Sequence, residues 1–334
     1  MSTKTSAEHD DQQVKGGLVA AIRRQAEQSL AFASLVIIFA FFAFANHSFY
    51  SWSNISGILL STAVTGMLAI GTTFVIITGG IDLSVGTGTT LTAVMTAYFL
   101  SDLKMPFAVG LIVGLTSGAL MGAVNGLLIT LLKLPPFIAT LAMMLIAKGL
   151  ALVISGVAPI YTDTVSGWDQ IALGNLIPNL PNAVLILFVA AFLASIVLNR
   201  TIVGRYTFAI GSNEEATKLS GINVNKWIVI IYTIGGLFTG MAGILLTSRL
   251  NSAQPALGAG YELEAIAAVI IGGTSLLGGK GSILGTVIGS MIMAVLINGL
   301  RIMAIQQEWQ TVVVGIVIII AVYTDSLRRR KDRS

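Results

Sequence analysis

Few residues in this chain could do chemistry, and all but one sit at the edge of an apolar run. Asp82 follows Gly79-Gly80-Ile81, Lys148 lies inside an apolar run, and Arg249, Glu262 and Glu264 flank two others. The chain has no cysteine, which excludes disulfides and thiolate metal sites. Its two histidines, His9 and His47, lie far apart outside the apolar runs, so no metal site is expected. Gly278-Gly279-Lys280-Gly281-Ser282 approaches a P-loop but fails the pattern: Thr274 stands at the first glycine position, and Gly281 follows the lysine where Ser or Thr is required. No hydrolase triad, HExxH helix or paired catalytic carboxylates appear. A proton-driven carrier needs a relay of buried carboxylates, and the sequence offers none. The expectation is a chain that moves something while another component supplies the energy.

An ionisable group inside a bilayer costs roughly 2.5–3.5 kcal/mol on insertion scales and is usually functional. Asp82 can serve as an N-cap for the helix that follows, or it can touch a substrate or coupling group. Lys148 lies eight residues before Gly156, roughly 12 Å along a helix. It can snorkel to the interface or face a polar cavity. Arg249, Glu262 and Glu264 are expected at outer helix ends, where water or a partner satisfies them.

The elements that position these residues are membrane spans. The chain has 334 residues, 55% hydrophobic and 10% charged, with a mean hydropathy of +0.88. Soluble domains carry about 25% charged residues, so the fold class is all-α integral membrane. Apolar runs begin near residues 30, 57, 83, 107, 137, 182, 227, 264, 283 and 310, which gives about ten spans. The net charge of +4 does not point to nucleic acid, because the cations cluster at the ends of spans. With a cytoplasmic N-terminus, fifteen Lys and Arg fall inside and three (Lys104, Arg249, Arg301) outside, with Lys148 within a span. This is the bias of membrane topology, and it places both termini in the cytoplasm. No secretory signal is seen in residues 1–28. Residues 1–29 read as a cytoplasmic tail, 30–325 as one transmembrane domain with its longest outer loop at 157–181, and 326–334 as a basic cytoplasmic tail.

Gly79-Gly80-Ile81-Asp82-Leu83-Ser84-Val85-Gly86 resembles Gly272-Gly273-Thr274-Ser275-Leu276-Leu277-Gly278-Gly279 at a constant offset of 193. Each is followed by a helical region ending in Asn-Gly, at Asn125-Gly126 and Asn298-Gly299. Counted as five spans apart, the units form an inverted repeat with broken helices beside a transport path. That makes Gly79, Gly80, Asp82, Ser84, Lys148, Gly272, Gly273 and Thr274 the pathway candidates. The ladders Gly110–Gly126 and Gly281–Gly289, at spacing four, predict close helix packing within the bundle.

The cytoplasmic loop 199–226 offers a short helix. Asn213 is its N-cap, Glu214 and Glu215 fill the first turn, Ala216 and Lys218 follow, and Gly221 ends it. The bland reading is an interfacial helix; the functional one is a docking helix for a cytoplasmic partner.

Gly79–Gly86, Gly211–Ala216 with Leu219–Val224, Ser252–Pro255, Gly260–Leu263 and Ile271–Leu276 with Gly278–Gly281 together resemble the bacterial ribose/xylose/arabinose/galactoside permeases of ABC importers, over about residues 30–325. The resemblance implies a cobalamin-importer-type fold of ten spans in the bacterial inner membrane. It implies a homodimer enclosing one pathway, a periplasmic sugar-binding protein and a separate ATPase that binds ATP and magnesium, while this chain holds no cofactor. Asn213–Gly221 would be the coupling helix. A basic residue at Lys148 fits the family pattern, and Ser212 stands where glycine is common. The substrate implied is ribose or a similar monosaccharide; another small polar solute, an ion-coupled carrier and a membrane scaffold or export component are the alternatives.

Overall fold

The structure, a computed structural model, describes residues 29–333. The expected tail 1–29 therefore lies, but for Ser29, outside the described residues, as do the side chains of the basic tail from 328 onward. Ten apolar helices follow one another in the expected order. They are α1 (Ser29–Ala45), α2 (Trp52–Ile77), α3 (Val85–Ala97), α4 (Phe107–Leu131), α5 (Pro136–Ser155), α7 (Asn182–Arg200), α10 (Val224–Leu250), α11 (Tyr261–Ile271), α12 (Ile283–Ile302) and α13 (Gln307–Arg333). Between them lie the short helices α6 (Gln170–Leu173), α8 (Ile202–Ser212) and α9 (Glu214–Leu219), and a two-residue strand pair, β1 (Ile160–Tyr161) with β2 (Ser252–Ala253).

Seven of the ten are long and apolar enough to cross a bilayer. The expected eighth span is half-length: at 1.5 Å per residue, the 11 residues of α11 reach only about 16 Å, against a core of about 30 Å. The expected third span is α-helical over the 13 residues of α3 and continues as a five-residue π-helical turn, Tyr98–Asp102. Each is preceded by non-helical chain, residues 78–84 before α3 and 251–260 before α11. Irregular backbone at membrane depth is tolerated only where protein buries it or it lines a cavity.

α2 and α10 form the centre. α2 is buried from Thr62 to Ile77, threonines included, because it is surrounded by α7, α10, α11 and α12. With hydrocarbon outside as well as inside, apolar side chains gain little by choosing the interior, and close backbone approach becomes the packing force. The ladder at Gly110–Gly126 does this on α4. A Cβ on Gly118 would run into the Gly236 carbonyl and lie 2.6 Å from the Gly240 nitrogen, and one on Gly126 would sit 2.6 Å from the Val229 Cα. The second ladder seats α12 on α11, with Gly285 against Gly272 and Gly289 against Ala268. Both ladders are intramolecular, as expected.

The two ends of the bundle differ. At one end the loop 156–181 is ordered over α4 and α10: Trp168 is fully buried with its ring edge-on to Phe107 at 5.2 Å, and Ser248 Oγ donates to the Trp168 carbonyl at 2.7 Å. At the other end the Gly279 N–H donates to the Ile77 carbonyl at 2.8 Å. This bond corrects the repeat. The Gly79-Gly80 and Gly272-Gly273 motifs sit side by side at one end, because α2 and α11 both run toward it, so they are not inverted mates. In the order of the ten apolar helices, α2 is second and α11 eighth, an even six places apart and not five, so they run the same way. The oppositely directed pair is α3 and α11. α3 runs toward Trp168, where Leu100 packs on it, and α11 runs toward Ile77. The lengths long, short, long, long recur as α2–α5 and α10–α13, which also brings Asn125 on α4 and Asn298 on α12 into corresponding helices.

Candidate functional site: the broken helices and the helix that reaches them

Asp82 lies in the break after α2, 1% exposed. Its Oδ1 accepts the Ser84 N–H at 2.8 Å and the Ser84 hydroxyl at 2.6 Å, and Ser84 Oγ accepts from Asn125 Nδ2 at 2.9 Å. Ser84, not Asp82, occupies the N-cap position of α3. Asp82 acts two residues upstream, fixing the turn that delivers Ser84 and tying it to α4. Asn125, which the sequence marked only as part of a repeat, is the third member of this chain. Gly79 takes φ +83° there, a left-handed value open to glycine at no steric cost. Gly80 leaves room for Tyr232, whose hydroxyl a Cβ would approach to 2.5 Å. Thr140 on α5 donates to the Ile81 carbonyl at 3.2 Å.

The second group of candidates is placed differently. Gly272 is where α11 meets α12, Gly273 takes φ +88°, and Thr274 is fully buried. Lys148 joins neither group. It is exposed on α5, and among the described residues it has no hydrogen bond or ion pair.

The helix expected at 213–221 forms as α9. Asn213 Oδ1 accepts the Ala216 N–H at 2.9 Å, Lys218 pairs with Glu214, and Gly221 takes φ +82°. Thr217 is its buried anchor, donating to the Asn213 carbonyl at 2.7 Å. Glu214, Glu215, Ala216 and Lys218 face solvent, and so does Leu219, 90% exposed. The sequence reading passed over Leu219. An apolar residue at the tip of a polar surface helix was the available signal.

What precedes α9 was read as loop and is helix α8. Its end is wedged between the end of α2 and the turn after α11. A Cβ on Gly211 would collide with the Ile77 carbonyl and lie 2.6 Å from the Gly279 nitrogen, and one on Gly278 would lie 2.9 Å from both the Gly211 carbonyl and the Gly79 nitrogen. Three chain segments thus touch backbone to backbone: the end of α2, the end of α8 and the turn after α11. These contacts join the end of α8, next to α9, to the break after α2 and to the turn after α11.

The starts of α3 and α11 meet inside the bundle. Gly86, at the start of α3, faces Gly258 and Glu262, at the start of α11, so closely that a side chain on Gly86 would overlap the Glu262 carboxylate. That carboxylate accepts the Gly260 N–H at 3.1 Å, and the Gly258 N–H donates to Thr90 Oγ1 at 2.9 Å. An acidic group between two helix N-termini is favourably placed, since both dipoles present positive ends there. The described residues also hold a groove of about 500 Å³ between α1 and α12, lined by Ile37, Phe41, Leu296, Leu300 and other apolar side chains, which offers a polar solute nothing. No group of three or more His, Cys, Asp or Glu able to hold a metal is found among the described residues.

The chain is similar to known transport proteins. Residues 54–322 match the family profile described as "Branched-chain amino acid transport system / permease component". The chain is 40% identical over 299 residues to the ribose import permease protein RbsC of Haemophilus influenzae, covering 89% of this chain and 92% of that one. It is 44% identical over 295 residues to the Bacillus subtilis protein of the same name, covering 88% and 91%. It is 38% identical over 307 residues to the fructose import permease protein FrcC of Rhizobium meliloti, covering 89% and 85%. No solved structure matches.

Proposed function

Because the chain belongs to the family of transport-system permease components whose profile matches residues 54–322, we propose that it is the membrane subunit of a binding-protein-dependent ABC importer for ribose or a similar monosaccharide. It is a transport component, and its relatives are named as permeases rather than enzymes. In this reading the ten apolar helices count as ten crossings of the bacterial inner membrane, with both termini cytoplasmic. The short α11 is completed by the re-entrant chain before it, and α3 and α11 run in opposite directions, in the inverted arrangement of the cobalamin-importer-type fold. The Gly79 end faces the cytoplasm, in keeping with Lys133, Arg200, Arg205, Lys218, Lys226 and Lys280 at that end. The Trp168 end receives a periplasmic sugar-binding protein. Two copies enclose the pathway, and a separate ATPase carries the ATP and magnesium.

One observation supports the reading: α9 exposes its polar face and Leu219 at the Gly79 end of the bundle, while Gly211, just before it at the end of α8, touches the end of α2 and the turn after α11. An energy source docked on α9 is thereby connected to the path. Charge reversal in E214K/E215K and the change L219D attack the docking face without touching the membrane core. Each is expected to abolish co-purification of the ATPase and ATP-dependent sugar uptake while the permease remains in the membrane at normal abundance. Full uptake and undiminished co-purification in both variants would defeat the assignment of α9.

A further inference from the structure

The loop that carries β1 is joined to the chain leading into α11, and both lie along α3. β1 and β2 pair antiparallel, Ile160 opposite Ala253 and Tyr161 opposite Ser252. One residue further on, the Thr162 N–H donates to the Asn251 carbonyl at 2.9 Å. Successive side chains of a strand point to opposite faces. Ile160 and Ala253 are buried in one cluster with Leu91, Val94 and Ala97 of α3 and Ala147 of α5. Tyr161 faces the other way and is 62% exposed. Its carbonyl accepts the Ser101 hydroxyl at 2.7 Å, from the π-helical turn that continues α3. Toward the start of α3, the Gly258 N–H donates to Thr90 Oγ1 at 2.9 Å, and a Cβ on Gly258 would run into the Gly86 carbonyl.

A pair of two-residue strands cannot hold itself together in water, so this one depends on what it is fastened to. Its fastenings are the middle of α3 through Ile160 and Ala253, the far end of α3 through Ser101, and the meeting of α3 with α11 through residues 254–258. α3 itself is buried along its whole length except at Met95, which is half-buried. A partner in the outer aqueous phase therefore cannot touch α3, but it can touch Tyr161. The surroundings of Tyr161 suit such a partner. Asp163, two residues on, and Asp102 and Lys104, beside Ser101, are exposed. Hydrocarbon does not accommodate exposed charges, so this surface faces water. An aromatic ring with a polar tip, set among charged neighbours, is the composition of a protein–protein contact.

We propose that Tyr161 is a contact residue for the docked sugar-binding protein, and that the pairing of β1 with β2 carries the displacement caused by docking to α3 and to its meeting with α11 at Gly86 and Gly258. This rests on the transport reading above, and it adds the residue that is touched and the link that passes the contact inward. α3 then stands between the two partners. The break after α2 leads into its start, and the strand pair is fastened to its middle and its far end.

Contact and transmission separate in the complete complex in proteoliposomes, with the D-ribose-loaded binding protein as the probe. Y161A is expected to weaken binding of that protein about tenfold or more. T162P removes the donor to Asn251 and favours extended backbone at Tyr161. It is expected to keep the affinity for the binding protein while the stimulation of ATP hydrolysis by that protein falls about tenfold. The chain has no cysteine, so I160C/A253C introduces a single thiol pair. Facing residues of an antiparallel pair lie about 4.5–5.5 Å apart at Cα, within disulfide range. The disulfide is expected to form on oxidation and to leave ATP-dependent uptake of radiolabelled D-ribose intact, because the strands move as one. Stimulation of the wild-type complex by the binding protein checks the transport reading itself. With that stimulation present, wild-type affinity in Y161A, wild-type stimulation in T162P, a disulfide that fails to form, or one that blocks uptake until it is reduced overturns the strand-pair proposal alone.

Discussion

Asp82 shows how a buried carboxylate in a membrane protein can be fully occupied by its own turn. One oxygen takes both the backbone N–H and the hydroxyl of Ser84, and Asn125 completes the chain from α4. The sequence offered two roles, helix cap or substrate contact, and the geometry favours a third: organiser of the break. An organiser needs the acceptor oxygen more than the charge. D82N is therefore expected to hold the fold, whereas D82A strands the Ser84 donors inside the bundle. Leaving a buried donor unsatisfied costs about 1–3 kcal/mol. The check is thermal unfolding of the two purified variants in nanodiscs, where D82A should melt clearly below D82N. Equal melting of the two, both at wild-type temperature, would remove the organising role. Residue type and position made Asp82 legible in the sequence. Its partner was not, because Ser84 and Asn125 are 41 residues apart and meet only through the packing of α4 on α3.

Among the elements, α8 and the junction at its end matter most. Gly211 has no room for a side chain because two other backbones occupy the space, the carbonyl of Ile77 and the nitrogen of Gly279. G211A must open that junction while leaving the docking face of α9 intact. ATPase co-purification is therefore expected to persist while ATP-driven uptake falls. For a coupling free energy of the usual 1–3 kcal/mol the fall would be about 5–150-fold. Unaltered uptake in G211A would show that the junction does not transmit. The sequence revealed α9 through its own local code, an Asn cap, early acids and a late glycine. It did not reveal α8, whose apolar and small residues read like any loop beside a membrane. Nor could it show which glycine approaches which backbone, since 36 glycines carry no partner labels. The same blindness produced the mistaken pairing of Gly79-Gly80 with Gly272-Gly273. Two short motifs matched in type, but the direction of a helix is a property of the whole bundle, and both motifs end helices that run the same way.

For the whole molecule, hydropathy alone gave the order of the ten apolar helices, because each is flanked by polar residues, Pro or Gly. It marked the eighth as a short apolar run from about Glu264 to Gly273, but it could not show that the starts of α3 and α11 meet inside the bundle, with Gly86 against Gly258 and Glu262. That meeting point is the centre of the account. The account links that centre to an ATPase at one end and to a sugar-loaded binding protein at the other. It is tested most directly by uptake of radiolabelled D-ribose into proteoliposomes containing the permease, its ATPase and its sugar-loaded binding protein. Accumulation should require ATP on the side of α9 and vanish when the ATPase is omitted, whatever ion gradient is imposed. Accumulation driven by an ion gradient without the ATPase would contradict the account.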